Sequence, residues 1–317
     1  MAPRRRPDTS DDPIDYQAVL DWVRTKVRGQ FGKGKVATYI PALARVPKAK
    51  FGMAIKCVDG REASIGAADE TFSIQSISKV FTLVLALRRV GPNLWHRVGR
   101  EPSGSRFNSL IQLEYEQGIP RNPFINAGAH VVTDCIVTHD AAGKNAILNE
   151  VRRLSGNPDI QFDREVAKSE HEHGHWNNAI ANFLKAHGNL HSAVDKVLDA
   201  YFHQCSIAMS CRDLARAASF LANGGVDVTT GERVTTARRA KRINALMMTC
   251  GLYDAVGSFA YRVGIPAKSG VGGGIVGVIP GFLSVAVWSP GLDPSGNSLV
   301  GVKALELLTT KLGRSVF

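Results

Sequence analysis

The chain has 317 residues, 44% hydrophobic and 21% charged. That ordinary globular balance excludes a disordered, collagen-like or disulfide-scaffold protein and leaves room for two domains or one large one. Thirty-nine Lys and Arg against 28 Asp and Glu give a formal charge of +11, which raises nucleic acid as a partner. The basic clusters, Arg4-Arg5-Arg6 and Arg238, Arg239, Lys241 and Arg242, have no interleaved aromatic residues to stack on bases. They read as solvated surface, and no nucleic-acid partner is expected.

Residues 1–13 are polar and proline-bearing and are expected to form a disordered arm; the arginines there run into Asp8, Asp11 and Asp12, not into the apolar stretch of a secretory signal. Tyr16, Val19, Leu20, Val23 and Val27 recur at helical spacing, and Gly29 and Gly32 close that helix. Segments 51–58 and 62–65 flank Asp59-Gly60, a turn dipeptide that predicts a hairpin. From Ser76 to about Gly251 the periodicity is helical. Short β-rich runs follow at 259–263, 275–279 and 282–288, and a last helix is predicted over 299–312.

Strands at both ends with helices between them predict an α/β (α+β) protein. Residues 14–75 and 252–317 would form one discontinuous α/β domain around a mainly helical insert, 76–251. The greasiest run, residues 80–87, is too short to span a bilayer, so no membrane partner is expected. Five cysteines, Cys57, Cys135, Cys205, Cys211 and Cys250, are odd in number and form no C-x-x-C pair. Reduced, buried thiols in a cytoplasmic protein are expected.

Three motifs compete for the chemistry. Gly272, Gly274 and Gly277 match G-x-G-x-x-G, but they lead into Ile275, Val276, Val278, Ile279 and Pro280, a strand where a dinucleotide site needs a helix. Those glycines instead read as positions of close backbone approach. His171, Glu172 and His175 match the zinc-peptidase pattern H-E-x-x-H, yet Gly174 weakens the helix and no third ligand is marked, so no metal is expected. Ser76-Ile77-Ser78-Lys79 places a hydroxyl and an amine on one side of a first helical turn. Held among Val80, Phe81 and Val84, Lys79 would lose solvation and become a base for the serine. Lys268-Ser269-Gly270 lies just before the late strands, as in acyl-serine enzymes that face such an edge strand onto an S-x-x-K helix.

Taken together, Gln75-Ser76-Ile77-Ser78-Lys79, Glu101-Pro102-Ser103-Gly104, Asn122-Pro123-Phe124-Ile125-Asn126-Ala127-Gly128-Ala129, Gln204-Cys205-Ser206 and the stretch Ala260 to Gly274, with its K-S-G-V-G-G-G, resemble the serine-dependent glutaminases from about Tyr16 to Phe317. The resemblance implies hydrolysis of L-glutamine to L-glutamate and ammonia on a β-lactamase/penicillin-binding-protein-like fold, as a homotetramer and without a cofactor. It makes Ser76 the nucleophile, Lys79 its base and Tyr253 a proton relay, with the N–H groups of Ser76 and Val271 as the oxyanion hole. Substrate recognition would fall to Tyr39, Gln75, Asn126, Glu170, Asn177 and Tyr201, with Glu170 pairing the substrate ammonium. The competing readings are a penicillin-binding or β-lactamase activity, a zinc peptidase and a basic nucleic-acid binder. Two features depart from the expected family pattern: Gly66-Ala67 stands where Gly-Asp is common, and His171, His173 and His175 enrich one loop.

Overall fold

Residues 14–104 and 108–317 are described by a computed structural model; the arm expected at 1–13 lies outside them. The strands are β1 (Gly52–Cys57), β2 (Glu62–Gly66), β3 (Phe72–Ser73), β4 (Gln161–Phe162), β5 (Ile207–Met209), β6 (Ala267–Gly270), β7 (Gly274–Ile279) and β8 (Leu283–Trp288). Five of them form an antiparallel sheet in the order β2-β1-β8-β7-β6. The predicted hairpin is β1-β2, and β1 then pairs with β8, Met53 opposite Val287. Chain ends far apart in sequence thus share one sheet.

Alternation along the strands sends successive side chains to opposite faces. Met53, Ile55, Ile275, Ile279, Val285 and Val287 pack with Leu20 and Val23 of the first helix, Tyr16–Val27, and with Val300, Leu305 and Leu308 of the last, Leu299–Leu312. Ala54, Val276, Val278, Ala286 and Trp288 face the other way, into the core that contains the helix Cys211–Ala222 and the rest of the helical region. The expected strand at 259–263 is instead part of a helix, Val256–Arg262. Phe259 and Val263, four apart, are both buried, whereas Tyr261 between them is exposed, the signature of a 3.6-residue period.

A second, small sheet, β3-β5-β4, went unread in the sequence. Its strands are only two or three residues long, but they fasten the segment before Ser76 to the helical region: Phe72 pairs with Met209, and Ile74 N donates to Ile207 O at 2.9 Å. The basic cluster at 238–242 lies toward the outside of the helix Ala237–Cys250, with Arg238, Lys241 and Arg242 exposed. All five cysteines are buried and unbridged. Among the described residues no helix is long and apolar enough to cross a membrane.

One buried ion pair positions the helices that carry the site. Asp134, on the helix Asn126–His139, accepts from Arg97 Nη2 at 2.6 Å, His191 N at 3.0 Å and Ser192 N at 2.8 Å. It thereby ties that helix to the turn leading into Val194–Cys205. Removing one partner of such a pair strands the other, so Asp134→Ala should lower stability by about 3–5 kcal/mol, read from the urea midpoint. Asp134→Asn, which keeps an acceptor, should lose clearly less.

Candidate active site

Ser76 lies in a 3-10 turn, Gln75–Ile77, that precedes the helix Ser78–Val90; the expected placement on the first α-helical turn is therefore corrected by two residues. The residue before it, Gln75, has φ +51°, a left-handed conformation that costs a non-glycine residue about 1–3 kcal/mol and persists only when its surroundings enforce it. Here Ser78 Oγ donates to Gln75 O at 2.7 Å, Gln75 Nε2 donates to Ser73 Oγ at 2.9 Å, and Ser73 Oγ donates to Cys205 O at 2.8 Å.

Strand β6, at the edge of the large sheet, runs directly against this turn. A Cβ on Gly270 would sit 2.5 Å from Ile74 O, and one on Gly272 would sit 2.4 Å from Ser73 O. The glycines of K-S-G-V-G-G-G are therefore close-approach positions, and they lead into β7, not into a helix.

Lys79 is enclosed, with 1% of its surface exposed. Its Nζ donates to Asn126 Oδ1 at 2.7 Å and to Phe124 O at 3.1 Å. Burial lowers its pKa to about 8, against the opposing pull of Cys205 and Glu170. The N-P-x-x-N-A-G-A segment builds this receptor. Asn122 Oδ1 caps the N–H groups of Phe124 and Ile125 at 2.9 and 3.1 Å, turning the chain so that the Phe124 carbonyl and Asn126 both meet Lys79. Gly128 lets that loop lie on the helix start, since a Cβ there would sit 1.9 Å from Asn122 O.

Tyr253 also has positive φ, +53°. Its hydroxyl interacts with Ser76 and Ser269, while burial pushes its pKa up to about 12. The approach to it is pinned by Lys268, which is fully buried and donates to Gly251 O at 2.9 Å and Ser269 O at 2.7 Å, its Nζ 4.8 Å from the centre of the Tyr253 ring. Burial, then the charge of Lys79, depresses the Lys268 pKa.

These elements enclose a cavity of about 560 Å³. Tyr39, Gln75, Ser76, Asn126, Glu170, Asn177, Tyr201, Tyr253 and Val271 all line it, so of the ten residues expected from sequence only Lys79 is not on its wall. Burial raises the Glu170 pKa to about 7, although the Gln75 amide bonds it and Lys79 lies nearby. Tyr39 lines the cavity although more than half exposed, and burial, then the neighbouring Tyr253 and Glu170, raises the pKa of its hydroxyl. Sequence reasoning missed Asn108, Trp176 and the loop with Leu292, Pro294, Ser295 and Gly296, which also line the cavity. No motif marks them.

The histidine-rich loop divides. His173 lines the cavity, whereas His171 stands edge-on to Phe202 at 5.8 Å and lines a separate groove. Gly174 separates the helices Arg164–His173 and His175–Ala186, so His171 and His175 are not one turn apart on a single helix. Among the described residues no three His, Cys, Asp or Glu side chains are grouped to hold a metal ion.

An antiparallel sheet with a helical region on one face, and an edge strand carrying K-S-G against the turn that holds Ser76, define a β-lactamase-like fold. The glutaminase family model matches residues 34–317. The glutaminase of Ralstonia nicotianae is 56% identical over 304 residues, covering 96% of this chain and all of that protein. The thermolabile glutaminase of Rhizobium etli is 56% identical over 305 residues, 96% of this chain and 99% of that one. Among solved structures, Probable glutaminase ybaS superposes with a TM-score of 0.89 at 39% identity, covering 96% of this chain and 99% of that one. Mglu in its glutamate form gives 0.89 at 34%, covering 95% of this chain and 69% of that one. The chain belongs to the glutaminase family, and it is an enzyme of that kind, a hydrolase.

The fit of β6 against the Ser76 turn gives a sharp prediction. Gly270→Ala places a methyl group against the backbone oxygen of Ile74, an overpacking that should cost about 1–3 kcal/mol of stability. Because the displaced atoms adjoin Ser76, ammonia release should fall far more than the folded fraction, compared by circular dichroism at the assay temperature.

Proposed function

We propose that this glutaminase cleaves L-glutamine to L-glutamate and ammonia through an acyl-enzyme on Ser76, with Lys79 as the base. The observation that carries the reading is Lys79: three residues after a cavity-lining serine, wholly buried, and hydrogen-bonded to neutral oxygens, with its pKa lowered to about 8. About a tenth of the amine is then neutral at pH 7, and a neutral amine can take the serine proton. Ser76 Oγ attacks the γ-carboxamide carbon. The oxyanion is held by the N–H groups of Ser76 and Val271, and the C–N bond breaks as Lys79 or Tyr253 returns the proton to the leaving ammonia. Water then opens the γ-glutamyl ester by the reverse proton path. No step calls for a metal or an organic cofactor.

Recognition follows from the walls. Glu170 pairs the substrate ammonium, and the amides of Asn126 and Asn177 and the hydroxyls of Tyr39 and Tyr201 serve its carboxylate. That Mglu is described in a glutamate form supports an amino-acid ligand for the corresponding cavity. The reading also includes a cytoplasmic homotetramer. Ile111 and Tyr115, exposed one turn apart, offer apolar surface for a subunit contact, and sedimentation would test the assembly.

Ser76→Ala should reduce ammonia release from L-glutamine by ~10⁴-fold or more while glutamate still binds, as measured by calorimetry. Lys79→Arg should be about as inactive as Lys79→Ala, because a guanidinium stays protonated. An active arginine variant would remove the base assignment.

The two titrating groups give different pH signatures. In the empty site Glu170 ionises near pH 7 and Lys79 loses its proton near pH 8, so kcat/KM should rise with pH through both. With substrate bound, the ammonium holds Glu170 ionised, and kcat should follow the Lys79 step alone. Glu170→Gln should raise KM by about 10–100-fold, the worth of one hydrogen bond to a charged group, and reduce the acid limb of kcat/KM to a single proton.

A further inference from the structure

The residue three before Ser76 belongs to no motif, yet it ties the Ser76 turn to the wall that carries Glu170. Ser73 ends β3, buried, with Ala208 of β5 opposite it in the small sheet. Its hydroxyl meets two partners: it donates to Cys205 O at 2.8 Å and accepts from Gln75 Nε2 at 2.9 Å. Cys205 is the last residue of the helix Val194–Cys205, so its carbonyl is one of the four that a helix end leaves without an internal partner. A carbonyl can only accept, and a hydroxyl has a single proton. The Ser73 proton is therefore committed to Cys205 O, and toward Gln75 the hydroxyl presents lone pairs alone.

That asymmetry decides the direction of a group that has none of its own. The two ends of a carboxamide are nearly the same size, so its hydrogen-bond partners decide which way it points. The Gln75 stem lies against two glycines: a Cβ on Gly270 would be 3.2 Å from Gln75 Cβ, and one on Gly272 would be 3.6 Å from Gln75 Cγ. What is left open is the terminal amide. With one Nε2 hydrogen on Ser73 Oγ, the other serves the Glu170 carboxylate on the cavity wall, where it favours the charged form against burial. Turned over, Gln75 would present Oε1 there instead, which repels a carboxylate and accepts a proton from a carboxylic acid. Glu170 does not choose between these arrangements by itself, since burial brings its own titration to about pH 7.

We infer that Ser73 is a positioning residue: because its hydroxyl can only accept from Gln75, it holds that amide with Nε2 toward Glu170 and keeps the carboxylate ready for the substrate ammonium. The inference rests on Glu170 as the ammonium partner proposed above. Without the hydroxyl, the turned-over amide pairs with protonated Glu170, and the acid form gains what the carboxylate loses. The Glu170 pKa then rises, and the free enzyme must reach a higher pH before it takes up substrate. The other titratable groups around Glu170 are Lys79, Tyr39, Tyr201 and Cys205, with His173, Tyr253 and Asp254 on the same cavity. Ser73→Ala removes none of them.

The test follows L-glutamine hydrolysis by Ser73→Ala across pH. The Glu170 limb of kcat/KM should move up by about one pH unit, the scale of one hydrogen bond to a charged group. That shift raises KM about fivefold at pH 7 and leaves it nearly unchanged at pH 9, while kcat, measured with Glu170 held ionised by the bound ammonium, keeps its profile. A variant that instead loses kcat at every pH, with the wild-type limb, overturns the inference and leaves Ser73 as a support of the turn. Gln75→Met removes donor and acceptor together, so its limb should already lie at higher pH, and adding Ser73→Ala should move it no further. An equal shift in that background would mean a route that bypasses Gln75, and would also overturn the inference. A turnover-free readout separates this from the ammonium assignment: the pKa of Glu170, followed by NMR of its labelled Cδ in a Ser76→Ala background, alongside L-glutamate affinity by calorimetry. If that pKa rises with Ser73→Ala while the affinity fails to track it, the positioning role stands and Glu170 is not the ammonium partner. An unchanged pKa overturns the positioning role.

Discussion

Lys79 is enclosed by protein, yet its amine hydrogen-bonds only a backbone carbonyl and a carboxamide oxygen, and no carboxylate forms an ion pair with it among the described residues. Burying an ammonium in that way costs several kcal/mol after relaxation, and a bonded carboxylate would repay the cost by locking the charge on. The site leaves the charge only half supported, which is why the amine can exist in both protonation states. Much of the surrounding sequence serves this compromise. Asn122 and Gly128 shape the loop that supplies the two oxygens, and Lys268 is held off by bonding to Gly251 and Ser269.

Strain is concentrated on the same few atoms. Gln75 and Tyr253 are two of the three non-glycine residues with positive φ among the described residues, and both flank the Ser76 hydroxyl. Each is over-determined by neighbours: Gln75 by the hydroxyls of Ser73 and Ser78, Tyr253 by the lysine-anchored segment before it. The glycines of the edge strand bring a third backbone within contact of the turn. Precision in the position of Ser76 thus comes from main chain packed against main chain, which side-chain fluctuations disturb least.

Much of this was legible in sequence because it follows from local chemistry. Asp59-Gly60 between apolar alternations makes a hairpin whatever surrounds it, and Pro280 after Ile279 marks a strand end. The S-x-x-K and K-S-G motifs could be read as one site because each is meaningful only when opposed to the other. What could not be read depends on distant partners. Phe259, Tyr261 and Val263 fit alternation and helical spacing equally over five residues, and the choice was made by which of them met the core. The strands of the small sheet are too short to carry a period. Trp176 and the loop around Gly296 reach the cavity only because the helical region folds over the sheet.

The pairing of β1 with β8 has a consequence for how the molecule comes into being. The central strand of the large sheet is β8, flanked by β1 and β7, so a chain growing from its amino end exposes the apolar β1-β2 hairpin long before its neighbour exists. At synthesis rates of about 5–20 residues per second that interval lasts on the order of ten seconds or more. Closure then requires contacts of very large sequence separation, the kind that slow folding most. Throughout that time the Ser76 turn lacks the edge strand it leans on. On the proposed mechanism the nascent chain stays inert toward its substrate until nearly all of it has been made, and the interval before β8 arrives is when its unpaired strand edges are most open to aggregation.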